Sequence, residues 1–152
     1  MTMTEQNQSL PDAEALFADL KAQMAPAIAF NAKLVGVYSG GAWLADRLAA
    51  ELDGEHEVGY IDVSFYRDDL STSGLKSNVR STQISFSVEG AHIVIVDDVL
   101  FTGRSIRAAI NTLFDYGRPA SIQLAVLVDR GGRELPIAAD YVGAPLIESR
   151  DL

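Results

Sequence analysis

An α/β domain, with helices flanking a mostly parallel central sheet, is the fold class this sequence predicts. Three observations carry that reading. Short apolar runs of strand length alternate along the chain with segments whose apolar residues recur at helical spacing. One run, Ala91 to Val96, is apolar apart from His92, as expected of a central parallel strand buried on both faces. The 152 residues, 48% hydrophobic and 22% charged, suit a single domain with its own core rather than a disordered or fibrous chain.

Residues 1–9 read as a disordered tail ahead of a single domain over 10–152. Ser9-Leu-Pro-Asp12 has the spacing of a capping box. Leu16, Phe17, Leu20 and Met24 then recur at helical intervals, which predicts an amphipathic helix over 10–25, ended near Pro26. Residues 34–38 (LVGVY) read as a buried strand, and Ser39-Gly40-Gly41 as its turn. Leu44, Leu48 and Leu52, with Ala45 and Ala49, form one helical face closed by Asp53-Gly54. Residues 58–66 are β-rich and predict a second strand. The polar stretch 67–83 has almost no apolar periodicity, and a solvated hairpin loop and a mobile active-site loop both fit it. Ile84 to Val88 alternates like a half-exposed strand. After the 91–96 strand, Ile106, Ala109, Ile110, Leu113 and Phe114 make a second amphipathic helix, stopped by Gly117-Arg118-Pro119. Ile122 to Val128 is another buried strand, and Tyr141-Val142 a last short one. In such folds ligands sit at the carboxyl ends of the strands.

Composition narrows the chemistry. Twelve Lys and Arg stand against 21 Asp and Glu, a net charge of -9, which argues against bulk attraction to nucleic acid or an anionic membrane. With no cysteine, disulfides, Cys-based zinc sites and cysteine nucleophiles are excluded, and His56 and His92 are too few for a His-rich metal site. Met1 to Leu10 lacks an export signal, and the longest apolar run, residues 122–128, is far too short to span a bilayer. The expectation is a cytoplasmic protein without a membrane partner.

The informative segment is His92 to Arg107. A buried strand ends in Asp97 and Asp98, a short loop follows, and Thr102-Gly103-Arg104-Ser105 opens a helix. A helix start offers backbone N–H groups without intrahelical partners, backed by the positive end of the dipole. Gly103 permits close approach, and Thr102 and Ser105 add hydroxyls. Each dipole contribution is roughly 0.3–2 kcal/mol, so several donors must act together to hold a phosphate. The two carboxylates beside them can accept hydrogen bonds from vicinal sugar hydroxyls or support a hydrated Mg²⁺. Singly, a strand-end acid pair is most often a solvated turn and a Ser or Thr at a helix start a plain cap. Together they suit a phosphorylated ribose. A receiver-type acidic pocket leaves Thr-Gly-Arg-Ser unexplained, and a Walker A loop is excluded by the lack of Gly-Lys-Ser/Thr.

Residues 94–105 (VIVDDVLFTGRS) resemble the phosphoribosyl pyrophosphate (PRPP) motif of type I phosphoribosyltransferases. Residues 61–71 (IDVSFYRDDLS) and 117–143 (GRPASIQLAVLVDRGGRELPIAADYVG) narrow the resemblance to the PyrR family, pyrimidine operon attenuation proteins that are also uracil phosphoribosyltransferases. It runs from about residue 10 to 147. The resemblance implies the type I phosphoribosyltransferase fold with a flexible loop hairpin over the site. It implies transfer of phosphoribosyl from PRPP to uracil, giving UMP and pyrophosphate with Mg²⁺, and a homo-oligomer, dimer or higher. Residue by residue, Asp97 and Asp98 would contact the ribose hydroxyls. Val99, Leu100, Phe101, Thr102, Gly103, Arg104 and Ser105 would wrap the 5′-phosphate. Ser39, Gly40 and Gly41 would meet pyrophosphate. Tyr66, Arg67, Asp68 and Asp69 would begin the closing loop, with Arg67 among the catalytic groups. Val128, Asp129 and Arg130 would lie near the nucleobase.

Two departures from the family pattern bear on activity. Most members read Lys-Thr-Arg-Gly where this chain has Tyr38-Ser39-Gly40-Gly41, so two cations are gone. Charge-assisted bonds of about 1.5–3 kcal/mol each are at stake, enough to slow turnover by one to two decades unless Arg67, Lys76 or Arg80 compensates. The expectation is measurable but modest activity. Positions where the family commonly places Arg and Lys for RNA hold Ala138 and Ala144, and Gly132 stands where a His is usual. Arg133 is retained, although scattered Arg such as Arg130 and Arg133 commonly pair with nearby acids instead. RNA binding is therefore disfavoured. Three hypotheses stand: the enzyme, an RNA-binding attenuator, and a PRPP or nucleotide sensor with little or no catalysis. Trp43 fits an oligomer interface or the core equally well.

Overall fold

A computed structural model describes residues 12–63 and 82–145. Its elements are α1 (Ala13–Met24), β1 (Lys33–Val37), α2 (Gly40–Glu51), β2 (Val58–Ile61), β3 (His92–Leu100), α3 (Arg104–Tyr116), β4 (Ser121–Asp129) and β5 (Tyr141–Pro145). The five strands form one sheet in the order β2-β1-β3-β4-β5, every pair parallel. The predicted fold class is the one found, with β3 central.

Alternation along the strands builds a core on each face. On one side Val35, Val37, Ile93, Ile95, Leu124 and Val126 pack against Ile106, Ala109 and Leu113 of α3. On the other, Leu34, Val94, Val96 and Ala125 meet Phe17, Leu20 and Met24 of α1 and Leu44, Ala45 and Leu48 of α2. β3 is covered by helices on both faces, which accounts for its apolar run. At the β5 edge the Gln23 amide donates to Val142 O at 2.7 Å and accepts from Val142 N at 3.2 Å, so α1 pairs an edge that would otherwise present open backbone groups.

Several expected boundaries move. α1 begins at Ala13, capped by Asp12, whose Oδ1 accepts from Glu14 N at 3.2 Å; Ser9, the expected cap, and the 1–9 tail lie outside the described residues. β2 ends at Ile61, and residues 64–66 of its expected extent also lie outside. Ile84 to Val88 is not a strand. Its neighbourhood contributes one antiparallel bridge, Tyr60 to Gln83, and the alternation instead turns Phe86 and Val88 into the core. Side-chain burial at every second residue occurs there without a ladder. The last strand runs longer than expected, to Pro145, along β4. Trp43 is 59% exposed, not part of the core. Among the described residues no helix is long and apolar enough to cross a membrane.

Candidate active site

The sheet's carboxyl end places two helix starts around one pair of acids. β3 does not end at Asp97 and Asp98 but runs past them along β4 as far as Leu100 opposite Asp129. Strand alternation then separates their environments: Asp97 is buried and Asp98 is exposed. Asp97 Oδ1 accepts from Asp98 N at 2.8 Å, and Asp98 Oδ1 from Val99 N at 2.8 Å, so each carboxylate is steadied by the next backbone amide. From Leu100 the chain turns through Phe101 and Thr102 into α3. Gly103 stands at the N-cap with φ +96°, a left-handed conformation that favours glycine, and offers the helix no side-chain cap. Thr102 Oγ1 accepts from Arg104 N at 3.1 Å, and helix geometry gives the other first-turn N–H groups no intrahelical partner. Residues 97–106 line a cleft of about 260 Å³.

The second helix start arrives by close packing. A Cβ on Gly36 of β1 would lie 2.6 Å from Ala42 Cα, and one on Gly41 would run into Val96 O and come 3.0 Å from Asp97 Cα. Glycine at both positions lets α2 sit directly on β1 and β3. A Cβ on Gly40 would collide with the Asp98 carboxylate, so Ser39-Gly40-Gly41 abuts the acids. Ser39 is the N-cap of α2 and makes no side-chain cap bond, and the Tyr38–Ser39 peptide bond is cis. Ahead of this turn, Tyr38 stacks on Tyr60, ring centroids 5.6 Å apart.

The Tyr60 hydroxyl donates to Asp46, which with burial pushes this phenol up to about 12. Since the folded value lies above the ordinary value of 10, the bond stabilises the fold fully below pH 10 and is lost as pH rises through 12. An ultraviolet absorbance titration therefore shows one late-ionising tyrosine that is missing in Tyr60→Phe. A Tyr60→Phe titration identical to wild type at the alkaline end counts against this.

Beyond β4, Arg130 N donates to Leu100 O at 3.0 Å, and Gly131 and Gly132, both at φ +76°, turn the chain back over the β3–α3 loop. Arg133 holds this turn. It donates to Asp129 Oδ2 and to Ile137 O, each at 2.8 Å, and to Phe101 O at 2.7 Å. Asp129 Oδ1 accepts from Gly131 N at 2.9 Å. Burial alone would raise the Asp129 carboxyl, but the Arg133 and Gly131 bonds and the Arg133 charge outweigh it and hold it below its ordinary value.

The expected residues thus fall into three groups. Asp97, Asp98 and Val99 to Ser105 line one cleft, with Ser39 to Gly41 abutting Asp98. Val128 and Asp129 end the adjacent strand, while the Asp129 oxygens are engaged internally and Arg130 lies with its guanidinium 3.9 Å from the centre of the Phe101 ring. The Arg104 guanidinium pairs with Glu134 at 2.6 Å. Tyr66, Arg67, Asp68 and Asp69, with Lys76 and Arg80, lie outside the described residues. Sequence reasoning allowed Arg133 a nearby acid, which is Asp129, but missed the Gly40–Asp98 abutment, the Arg133 bonds to Phe101 O and Ile137 O, and the Phe101–Arg130 stack. Gly131-Gly132 was their one available signal, since paired glycines mark a tight turn.

A parallel sheet with an acid pair near the carboxyl end of its central strand, beside two helix starts, is an arrangement suited to a phosphorylated sugar. The chain matches the phosphoribosyl transferase domain family over residues 4–151. A protein of Ralstonia nicotianae named Bifunctional protein PyrR is 51% identical over 144 residues, covering 92% of this chain and 82% of the relative. One of the same name from Pseudomonas aeruginosa is 48% identical over 134 residues, covering 88% and 79%. Among solved structures, a hypoxanthine-guanine phosphoribosyltransferase from Bacillus anthracis shares the fold with a TM-score of 0.71 at 19% identity, covering 90% of this chain and 82% of that one. The chain belongs to the phosphoribosyltransferase family and, within it, to the PyrR proteins.

Proposed function

We propose that this phosphoribosyltransferase transfers phosphoribosyl from PRPP to uracil, releasing UMP and pyrophosphate, and takes part in the control of pyrimidine synthesis. The observation that carries the reading is the single cleft in which Asp97 and Asp98 meet the open start of α3. The first-turn N–H groups, with Thr102 and Ser105, bind the 5′-phosphate, and the two carboxylates accept from the ribose hydroxyls. The Ser39–Gly41 amides at the start of α2 face the pyrophosphate. Held at both ends, the sugar presents C1′ in line between the leaving oxygen and the base. The bond from a uracil ring nitrogen to C1′ forms as the bond to pyrophosphate breaks, the proton of that nitrogen passes to solvent or to the departing pyrophosphate, and no covalent nucleophile of the protein is required.

Among the described residues no cluster of three or more His, Asp or Glu forms a metal cage. Two adjacent carboxylates do suit a Mg²⁺ held mainly by water and substrate oxygens, the usual manner for that ion. Bound with PRPP near Asp97 and Asp98, Mg²⁺ would neutralise charge on the leaving pyrophosphate. The reading is tested by incubating the purified chain with PRPP and uracil, with and without Mg²⁺. UMP formation that requires Mg²⁺ is expected, slower than in members with the two loop cations. No UMP, or a strong preference for purine bases, sinks it.

Gly40 bears on the same step. In Gly40→Ala the new methyl displaces the end of the Asp98 side chain, not backbone, so the fold tolerates it while the acid is misplaced. Turnover is expected to fall about tenfold, the equivalent of roughly 1.4 kcal/mol, with little change in Tm. Unchanged turnover would show that Asp98 is not held by this contact.

RNA as a partner is not favoured. Arg133, the retained cation, is spent on Asp129 and two carbonyls, and Lys21, Lys33, Arg47 and Arg104 are also in ion pairs. Among the described residues only Arg107, Arg118 and Arg130 stand outside these ion pairs, few cations for a polyanion.

A further inference from the structure

Phe101 lies between the acids and the helix start, lines the cleft and is 42% exposed. Its placement is unusually constrained for an exposed aromatic. Arg133 Nη1 anchors its backbone carbonyl at 2.7 Å. One face of its ring carries the Arg130 guanidinium at 3.9 Å. The ring edge lies so close to Gly132 that a Cβ there would come 3.0 Å from Phe101 Cδ1. Three residues of the turn after β4 therefore converge on Phe101, two against its ring and one on its carbonyl, although a 42%-exposed phenyl gains little for the core in return.

We propose that the Phe101 ring is the wall on which the nucleobase stacks, with Arg130 acting from behind the ring rather than on the base. This rests on the phosphoribosyl reading above. With phosphate on the start of α3 and the ribose hydroxyls on Asp97 and Asp98, the base extends from C1′ past the segment that joins those two sites, Val99 to Phe101, whose one aromatic ring is that of Phe101. A flat heteroaromatic ring stacks on a phenyl face, and the Arg130 cation fixes that face in orientation. The assignment moves Phe101 from the phosphate loop to the base, and moves Arg130 from direct contact with the base to support of the wall.

Calorimetric titration separates the two parts of the ligand. UMP carries sugar phosphate and base, whereas ribose 5-phosphate carries only the sugar phosphate. Phe101→Ala is expected to weaken UMP by about tenfold or more while leaving ribose 5-phosphate within about twofold, and Phe101→Tyr to restore UMP. Phe101→Leu, which keeps apolar bulk without a π face, follows Phe101→Ala and guards against loss of folding. UMP affinity unchanged in Phe101→Leu, or both ligands weakened alike, overturns the stacking wall alone. A wild-type chain that binds neither ligand overturns the phosphoribosyl reading and this proposal with it.

Discussion

Replacing Arg133 with Met is expected to lower stability by about 3 kcal/mol, because one guanidinium holds three separate segments. Its bonds to Asp129, Phe101 O and Ile137 O join the end of β4, the β3–α3 loop and the segment beyond the glycine turn. Met keeps most of the apolar stem but leaves a partly buried carboxylate and two carbonyls without these donors. In a domain of this size such a loss lowers Tm by about 10 °C. The pH dependence distinguishes this cause from general damage. Asp129 is held below its ordinary value near 3.8, so its contribution is present above that value and is lost as pH falls through the lower, folded one. The stability gap between wild type and Arg133→Met should therefore narrow on acidification below about pH 4. Denaturant melts at several pH values measure it, and a gap that stays constant into strong acid would show that the Asp129 pair is not its source.

The double substitution Asp97→Asn with Asp98→Asn should have the largest effect on catalysis. Each Asn keeps an Oδ1 acceptor for the next amide, so the local fold survives, whereas the charge offered to the ribose hydroxyls is gone. Two charge-assisted sets at about 1.5–3 kcal/mol each correspond to a fall in kcat/KM of about 10² to 10⁴. Steady-state rates of UMP formation, compared at matched Tm, test it. A loss under tenfold would remove the acids from the reacting site.

How much of this was legible depended on the distance in sequence between cause and effect. β1, α2, α3 and β4 were readable from periodicity to within a few residues, because each buries a stripe or face that its own spacing announces. The site's central stretch, 97–105, was readable for the same reason: strand end, loop and helix start are contiguous. Asp97 and Asp98 were misread as ending the strand, since acids normally do. Their backbones nevertheless continue the ladder with β4, as Asp97 lies opposite Val126 and Val99 opposite Val128. Ile84 to Val88 erred the other way, its alternation reporting burial of Phe86 and Val88 without a backbone partner.

By itself, the sequence determined the α/β class, the central strand, the acid pair followed by a glycine-led helix start, and the family these imply. These are properties of short windows, where hydrophobic period and local backbone chemistry act alone. Only the tertiary structure decided that Gly40 abuts Asp98, that Asp129 is spent on Arg133, and that Arg130 lies on Phe101. Arg133 and Phe101 are 32 residues apart, and Gly40 and Asp98 still further. Contacts of that kind arise when strands pair and helices dock, and no local pattern records which distant group a side chain will meet.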